Sequence, residues 1–223
     1  MTPPDPIKPG SLFDLSLRVH DLACHRSGRA VFQGLGLDLA PSQALLVTGP
    51  NGSGKSSLLR MVGGLINPAN GTIRMNDPEL IVAEQSHLIG HLEGIKLALT
   101  LGENVAYWIG LLGHVPPNAA AKRVQTALSA VDLHHLTDRP ARFLSAGQKR
   151  RLGLARLIAA PRAIWLLDEP TLGLDQASIG RLEAMMAAHR AQGGIVIATS
   201  HQPIELPGAF SLRLSPKMSG VTP

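Results

Sequence analysis

Apolar residues follow two different rhythms along this chain of 223 residues. Near the start they fall at every second position, at Leu15, Leu17 and Val19 and again at Leu35, Leu37 and Leu39. That period predicts two half-buried strands, and Ser27-Gly28 between them predicts an antiparallel pair with a turn there. Further along, Leu45-Leu46-Val47-Thr48, Ile164-Trp165-Leu166-Leu167 and Ile195-Val196-Ile197-Ala198-Thr199 show no alternation. Unbroken apolar runs of this length fit strands in the middle of a parallel sheet, covered on both faces. Thr72-Ile73-Arg74-Met75 reads as a further short strand after a loop at Asn67–Gly71.

Helical spacing fills the intervals. Ser56 to Val62 reads as the start of a helix, and from about Leu92 to Ala160 the pattern is helical throughout. Thr100 and Glu103 have the spacing of a capping box, opening a helix through Tyr107 and Trp108. Asn118 is placed to cap another, whose Val124, Ala127, Leu128 and Val131 recur on one face. Ile179, Leu182 and Met186 form the stripe of a covering helix that ends at Gly193-Gly194. The expected class is α/β: a mostly parallel sheet core, an N-terminal antiparallel β subdomain and an inserted helical subdomain over about 92–160. One domain is expected over 11–210, between a proline-rich tail at 1–10 and a C-terminal tail at 211–223. No internal repeat is visible.

The chemistry starts at the end of the first unbroken run. Gly49, Pro50, Asn51, Gly52, Ser53, Gly54, Lys55 and Ser56 fit the P-loop pattern at every fixed position, with strand before and helix after, and Ser57 extends the set. Glycine permits backbone conformations closed to residues with a Cβ, so that successive N–H groups converge on one anion. The helix start adds unpaired donors and partial positive charge. Lys55 is placed for the β- and γ-phosphates, and the Ser56 hydroxyl for Mg²⁺. The core is therefore expected to be a P-loop NTPase, and in this it resembles the RecA-like kind.

Asp168 and Glu169 follow the second unbroken run, at the strand end where open α/β sheets bind ligands. Asp168 is placed to hold Mg²⁺, and Glu169 to orient or deprotonate the attacking water. An isolated Asp-Glu pair would more simply be solvated acids. Behind a P-loop the catalytic reading is favoured.

With Leu144-Ser145-Ala146-Gly147-Gln148, the stretch Leu172-Gly173-Leu174-Asp175 and Thr199-Ser200-His201 added, the chain resembles the ATP-binding cassette family from about Leu15 to His201. The family signature has glycine where this chain has Ala146. Ser145 and Gln148 also form a capping box, and a capped helix start is itself an anion site. The resemblance implies ATP as ligand with Mg²⁺ as cofactor, hydrolysis with Lys55, Glu169 and His201 as catalytic residues, and a homodimer. In it Ser145, Gly147 and Gln148 of one protomer face the γ-phosphate held by the other. The segment around Gly90-His91-Leu92-Glu93-Gly94-Ile95-Lys96, with LSAGQKRRLGLARL and TSHQPI, is similar to the ATP-binding subunits of haem exporters in bacterial cytochrome c maturation. That similarity implies integral-membrane partner subunits (CcmB-like and CcmC-like) and a peripheral place on the cytoplasmic face of the inner membrane. The alternatives are another transporter's ATPase with different cargo, or a soluble cassette ATPase acting on nucleic acid or ribosomes.

Two departures from the family pattern stand out. No aromatic residue occupies Ala23 to Gly28, where the family stacks one on adenine, so Arg26 or His25 takes that place. Counting back from Leu99-Thr100-Leu101-Gly102-Glu103-Asn104 puts His91 in the γ-phosphate-sensing slot, beside the metal with Ser56 and Asp168. Gln85 lies too far upstream for that slot.

Charge and composition narrow the partners. A net charge of +5 and a pI near 9.9 suit an anionic surface or nucleic acid, yet aromatics make up only 3% of the residues. So few aromatics argue against a base-stacking platform for single strands, and no direct nucleic-acid role is expected. Lys149-Arg150-Arg151 reads as a solvated face or a phosphate neighbour. One cysteine, Cys24, rules out an internal disulfide and a cysteine-cluster zinc site. No apolar run approaches the roughly 20 residues of a membrane span, and Met1 to Pro6 lacks the features of a signal peptide. His134 and His135, adjacent on a helix, would point apart and hold no metal.

Overall fold

β1 (Leu17–Arg26) and β2 (Arg29–Leu39) run antiparallel, with Leu17 opposite Leu39 and Val19 opposite Leu37, as the alternation requires. Then come β3 (Ala44–Thr48), α1 (Lys55–Val62) and β4 (Asn70–Met75), and β4 joins the other edge of β1 to give a three-stranded sheet. The computed structural model describes residues 13–26, 29–90, 93–112, 117–201 and 204–215. The expected tail at 1–10, the turn at Ser27-Gly28 and His91 lie outside the described residues.

β5 (Ser86–Ile89) leads to the helical segment, made of α2 (Leu101–Leu112), α3 (Pro117–Ala130) and α4 (Ala146–Ala159). The Thr100 box is present: the Glu103 amide donates to Thr100 Oγ1 at 3.1 Å, and the Thr100 amide to Glu103 Oε2 at 2.7 Å. α3 starts at Pro117, one residue ahead of the expected Asn118 cap. Proline suits a first helical position because its missing N–H would have no partner there. Val124, Ala127, Leu128 and Val131 are buried, as their spacing predicts.

The chain returns to the core through β6 (Ile164–Asp168), α5 (Gln176–Ala191), β7 (Ile195–Thr199) and β8 (Phe210–Arg213). The central sheet has the order β5-β6-β7-β3-β8, with every pairing parallel. β8 corrects the boundary drawn at 210. Leu212 pairs with Val47 and Leu214 is buried, so the segment assigned to a C-terminal tail contributes an edge strand. Four residues with only alternate apolar positions are too short a run to register as a strand by pattern.

Side chains of successive strand residues point to opposite faces, so an apolar run without alternation feeds two cores. Trp165, Leu167, Val196 and Ala198 pack with α2–α5 on one face. Ile164, Leu166, Ile195 and Ile197 pack with α1 and the antiparallel sheet on the other. Leu58 and Leu59 of α1 are 1% and 0% exposed, which pins the P-loop helix to the sheet. Truncating either to alanine would cost about 2–5 kcal/mol. Cys24 is buried in the second core, as a small apolar residue would be.

Candidate active site

Strand order decides what meets. β3, β7 and β6 are neighbours, so the P-loop after β3, His201 after β7 and the two carboxylates at the end of β6 emerge side by side at one edge of the sheet. There a cleft of about 450 Å³ is lined by Asn51, Gly52, Gly54, Lys55, Ser56, Ser57, Asp168, Glu169 and His201. Arg26 and Val31 of the antiparallel sheet close one side, and Thr171 and Leu172 the other.

The P-loop has the backbone its glycines were expected to supply. Gly49, Gly52 and Gly54 have φ of 142°, 81° and 99°, values costly for residues with a side chain. Space is as restrictive as angle at Gly54, where a Cβ would lie 2.7 Å from Val31 and 2.9 Å from Phe32. No side chain caps α1 and no acid lies in its first turn, so its leading N–H groups face the cleft as anion donors. The buried Lys55 ammonium donates to the Gly49 carbonyl at 2.8 Å and to that of Pro50 at 3.2 Å, which holds it over the loop. Ser53 is buried, and its hydroxyl has no partner.

The acidic wall is held by its neighbours. Asp168 is 4% exposed, and its Oδ1 accepts from the Thr199 hydroxyl at 2.8 Å. The same hydroxyl oxygen accepts the Glu169 amide at 3.0 Å. Glu169 Oε2 accepts the His201 amide at 3.1 Å, and the His201 Nε2 stands 3.4 Å from Oε1. That second approach is a close contact and not a hydrogen bond, since Oε1 has no hydrogen-bond partner. Ser56 and Asp168 share the cleft, and a hydroxyl beside a carboxylate is a donor set suited to a hard divalent cation.

Of the two candidates for the base-stacking place, only Arg26 lines the cleft. His25 instead meets the Gln33 side chain at 3.0 Å. Ser145, Gly147 and Gln148 lie outside the cleft of their own chain. Their capping box is complete: the Gln148 amide donates to Ser145 Oγ at 3.2 Å, and the Ser145 amide to Gln148 Oε1 at 2.9 Å. Asp175 caps α5, accepting from the Ser178 amide at 2.8 Å, and the Ser178 bonds hold its carboxyl below the usual range.

The basic run after the signature needs correction. Arg150 is only 5% exposed and donates to backbone carbonyls, so it is no solvated face. Arg151 pairs with Asp132 at 3.5 Å, and Arg181 joins the same carboxylate at 3.0 Å. Likewise His134 and His135 sit in a 3-10 turn rather than an α-helix, and their rings meet edge to face at 5.6 Å. With Asp132 they bring three ligand atoms within 4.8 Å of one another, but the two guanidinium groups already neutralise that carboxylate. Val31, Thr199 and Arg150 were missed because their roles depend on which strands become neighbours. A threonine closing an apolar strand ahead of Ser-His was the only local hint.

The family described as ABC transporter matches residues 32–172. The cytochrome c biogenesis ATP-binding export protein CcmA of Rhodospirillum rubrum is 52% identical over 200 residues, covering 87% of this chain and 83% of that protein. Its counterpart in Paramagnetospirillum magneticum is 48% identical over 208 residues, covering 90% and 94%. Among solved structures, an ABC transporter ATP-binding protein from Pyrococcus furiosus superposes with a TM-score of 0.75 at 21% identity, covering 89% of this chain and 97% of that one. An ATP-binding subunit of an ABC transporter superposes at 0.74 and 22% identity, covering 83% and 79%, and both likenesses concern the fold. The chain belongs to the ABC transporter family of ATPases, and within it to the group of cytochrome c biogenesis ATP-binding export proteins.

Proposed function

We propose that this chain is the ATP-hydrolysing subunit of a membrane complex that serves cytochrome c maturation, and that its work is done on haem. The observation that carries the reading is the convergence of Lys55, Ser56, Asp168, Glu169 and His201 on one cleft, in a chain so similar to proteins named cytochrome c biogenesis ATP-binding export protein. No helix among the described residues is long and apolar enough to cross a membrane, so integral-membrane subunits, CcmB-like and CcmC-like, supply the span. The ATPase sits on the cytoplasmic face of the inner membrane.

Phosphoryl transfer asks the protein mainly for position and electrostatics. The α1 N–H groups and Lys55 bind the phosphate chain, and Arg26 covers the base. Ser56 and Asp168 would hold Mg²⁺, which supplies charge neutralisation on the phosphate oxygens when bound. Glu169 orients the attacking water and takes its proton at the carboxylate, which His201 and Thr199 keep aimed into the cleft. Because Ser145 and Gly147 stand outside that cleft, a second copy of the chain must present them to complete the site. Leu172 is 56% exposed on the cleft wall and Phe143 is 57% exposed near the signature, apolar surface suited to that contact.

The test is genetic. In a strain deleted for this gene, a plasmid copy should restore holocytochrome c and a Glu169→Gln copy should not, with added haem failing to replace it. Normal holocytochrome c in the deletion strain would refute the assignment.

A further inference from the structure

Glu169 has φ of 50°, a conformation that residues other than glycine seldom adopt. Strain of this kind persists only where the surroundings over-determine it. Here both backbone groups of the residue are held. Its amide donates to Thr199 Oγ1, and its carbonyl accepts from Arg150 Nη2 at 2.8 Å and from the Leu172 amide at 3.2 Å. The same Nη2 stands 3.4 Å from the Asp168 carbonyl, and Nη1 donates to the carbonyl of Gly90, just beyond β5.

Arg150 comes from the second turn of α4, the helix that Ser145 caps. One buried guanidinium therefore joins three pieces: the signature helix, the end of the carboxylate-bearing strand, and the end of the neighbouring strand. We propose that Arg150 is a positioning residue, which fixes the peptide that carries Glu169 and so sets the aim of its carboxylate. Guanidinium suits this work because its planar fork offers several donors in fixed directions. Burial lowers the pKa of Arg150, and the charges of Glu93 and Asp168 oppose that shift. An arginine enclosed this deeply beside backbone carbonyls is costly unless those bonds form, which ties its placement to that of the strand ends.

The inference rests on the reading of Glu169 as the group that handles the water. Its test is a double-mutant cycle on the full-length chain, using Arg150→Gln, Arg150→Lys, Glu169→Gln and the doubles. kcat and KM for ATP are measured per folded molecule, with the folded fraction taken from thermal unfolding. Arg150→Gln should lower kcat by about 30-fold or more while KM shifts less than about threefold, the pattern of a group felt only in the transition state. Arg150→Lys, with one ammonium in place of the fork, should recover part of the loss. In the Glu169→Gln background, Arg150→Gln should lower the residual rate less than about twofold, since residues acting as a unit are not additive.

A full further loss in that background, or a kcat for Arg150→Gln within about threefold of the parent, would overturn the proposal. Should Arg150→Gln fail to fold, Arg150→Lys carries the same cycle. Undiminished turnover in Glu169→Gln alone would instead refute the role given to Glu169, and this inference with it.

Discussion

The Thr199 hydroxyl donates to Asp168 Oδ1 at 2.8 Å across adjacent strands, and both side chains are buried. The same oxygen receives the Glu169 amide, so one hydroxyl serves both acidic residues. Thr199→Val keeps the shape and removes both bonds. Stranding a buried carboxylate oxygen and a backbone N–H should cost about 1–3 kcal/mol for each group. Urea unfolding should show that loss, and ATPase assays a kcat at least about tenfold lower with little change in KM.

Ser145 and Thr100 form capping boxes of the same geometry at the starts of two helices. Either change to alanine should destabilise the protein by about 1 kcal/mol. Only Ser145→Ala should also depress turnover beyond the loss of folded molecules, because only Ser145 belongs to the signature. Equal ATPase activity in the two variants would mean that Ser145 is a cap and nothing more.

Two buried histidines set a lower pH limit. Burial takes His87 down to about 3, opposed by its bond to the Ala160 carbonyl and helped by Arg156 and Arg162. Burial takes His189 down to about 4, opposed by bonds with the Ala163 and Ile195 backbone. His189 also stacks on Trp165 at 4.0 Å. Both groups bind a proton more tightly in the unfolded chain, so their contribution is fully present above the ordinary histidine value of 6.5 and is lost as pH falls toward the folded values. Unfolding free energy should drop by up to roughly 2 kcal/mol per histidine between pH 6.5 and about pH 5. His189→Phe should remove its share of that slope in denaturant titrations at several pH values.

Arg26 offers the cleft a charged plane at the place proposed for the base. Arg26→Ala should raise the Kd for ATP about five- to tenfold, matching roughly 1 kcal/mol of stacking on the base. Competition between ATP and GTP should show weak base selectivity in the parent chain and none in the variant. An unchanged Kd would place the base elsewhere.

Much of the site was legible because its parts are local. The P-loop, the Asp168-Glu169 pair and the Ser145 box each depend on residues within a few positions of one another, and each holds its expected geometry. Strand type was legible as well, since Leu166 and Leu167 had to be apolar together to feed both cores. What escaped depends on neighbours across the sheet. Arg150 looks like any charge in Lys149-Arg150-Arg151 until β5 and β6 are seen to lie beside α4. β8 escaped because Leu212 and Leu214 gain meaning only from pairing beside β3. Arg26 and His25 are adjacent, and they are separated only by which of them the folded sheet turns to the cleft: Arg26 lines it, while His25 meets Gln33 across the strands.

The composite site is tested most directly by cross-linking. Asn51 lies on the P-loop and Ala146 opens the signature helix, and both are exposed. Asn51→Cys and Ala146→Cys should be combined in a Glu169→Gln chain whose only native cysteine, Cys24, is replaced by serine. With ATP and Mg²⁺, a short bifunctional reagent should yield a covalent dimer joining position 51 of one copy to position 146 of the other, and little without nucleotide. Absence of that inter-subunit product, or equal yield with and without ATP, would contradict the account.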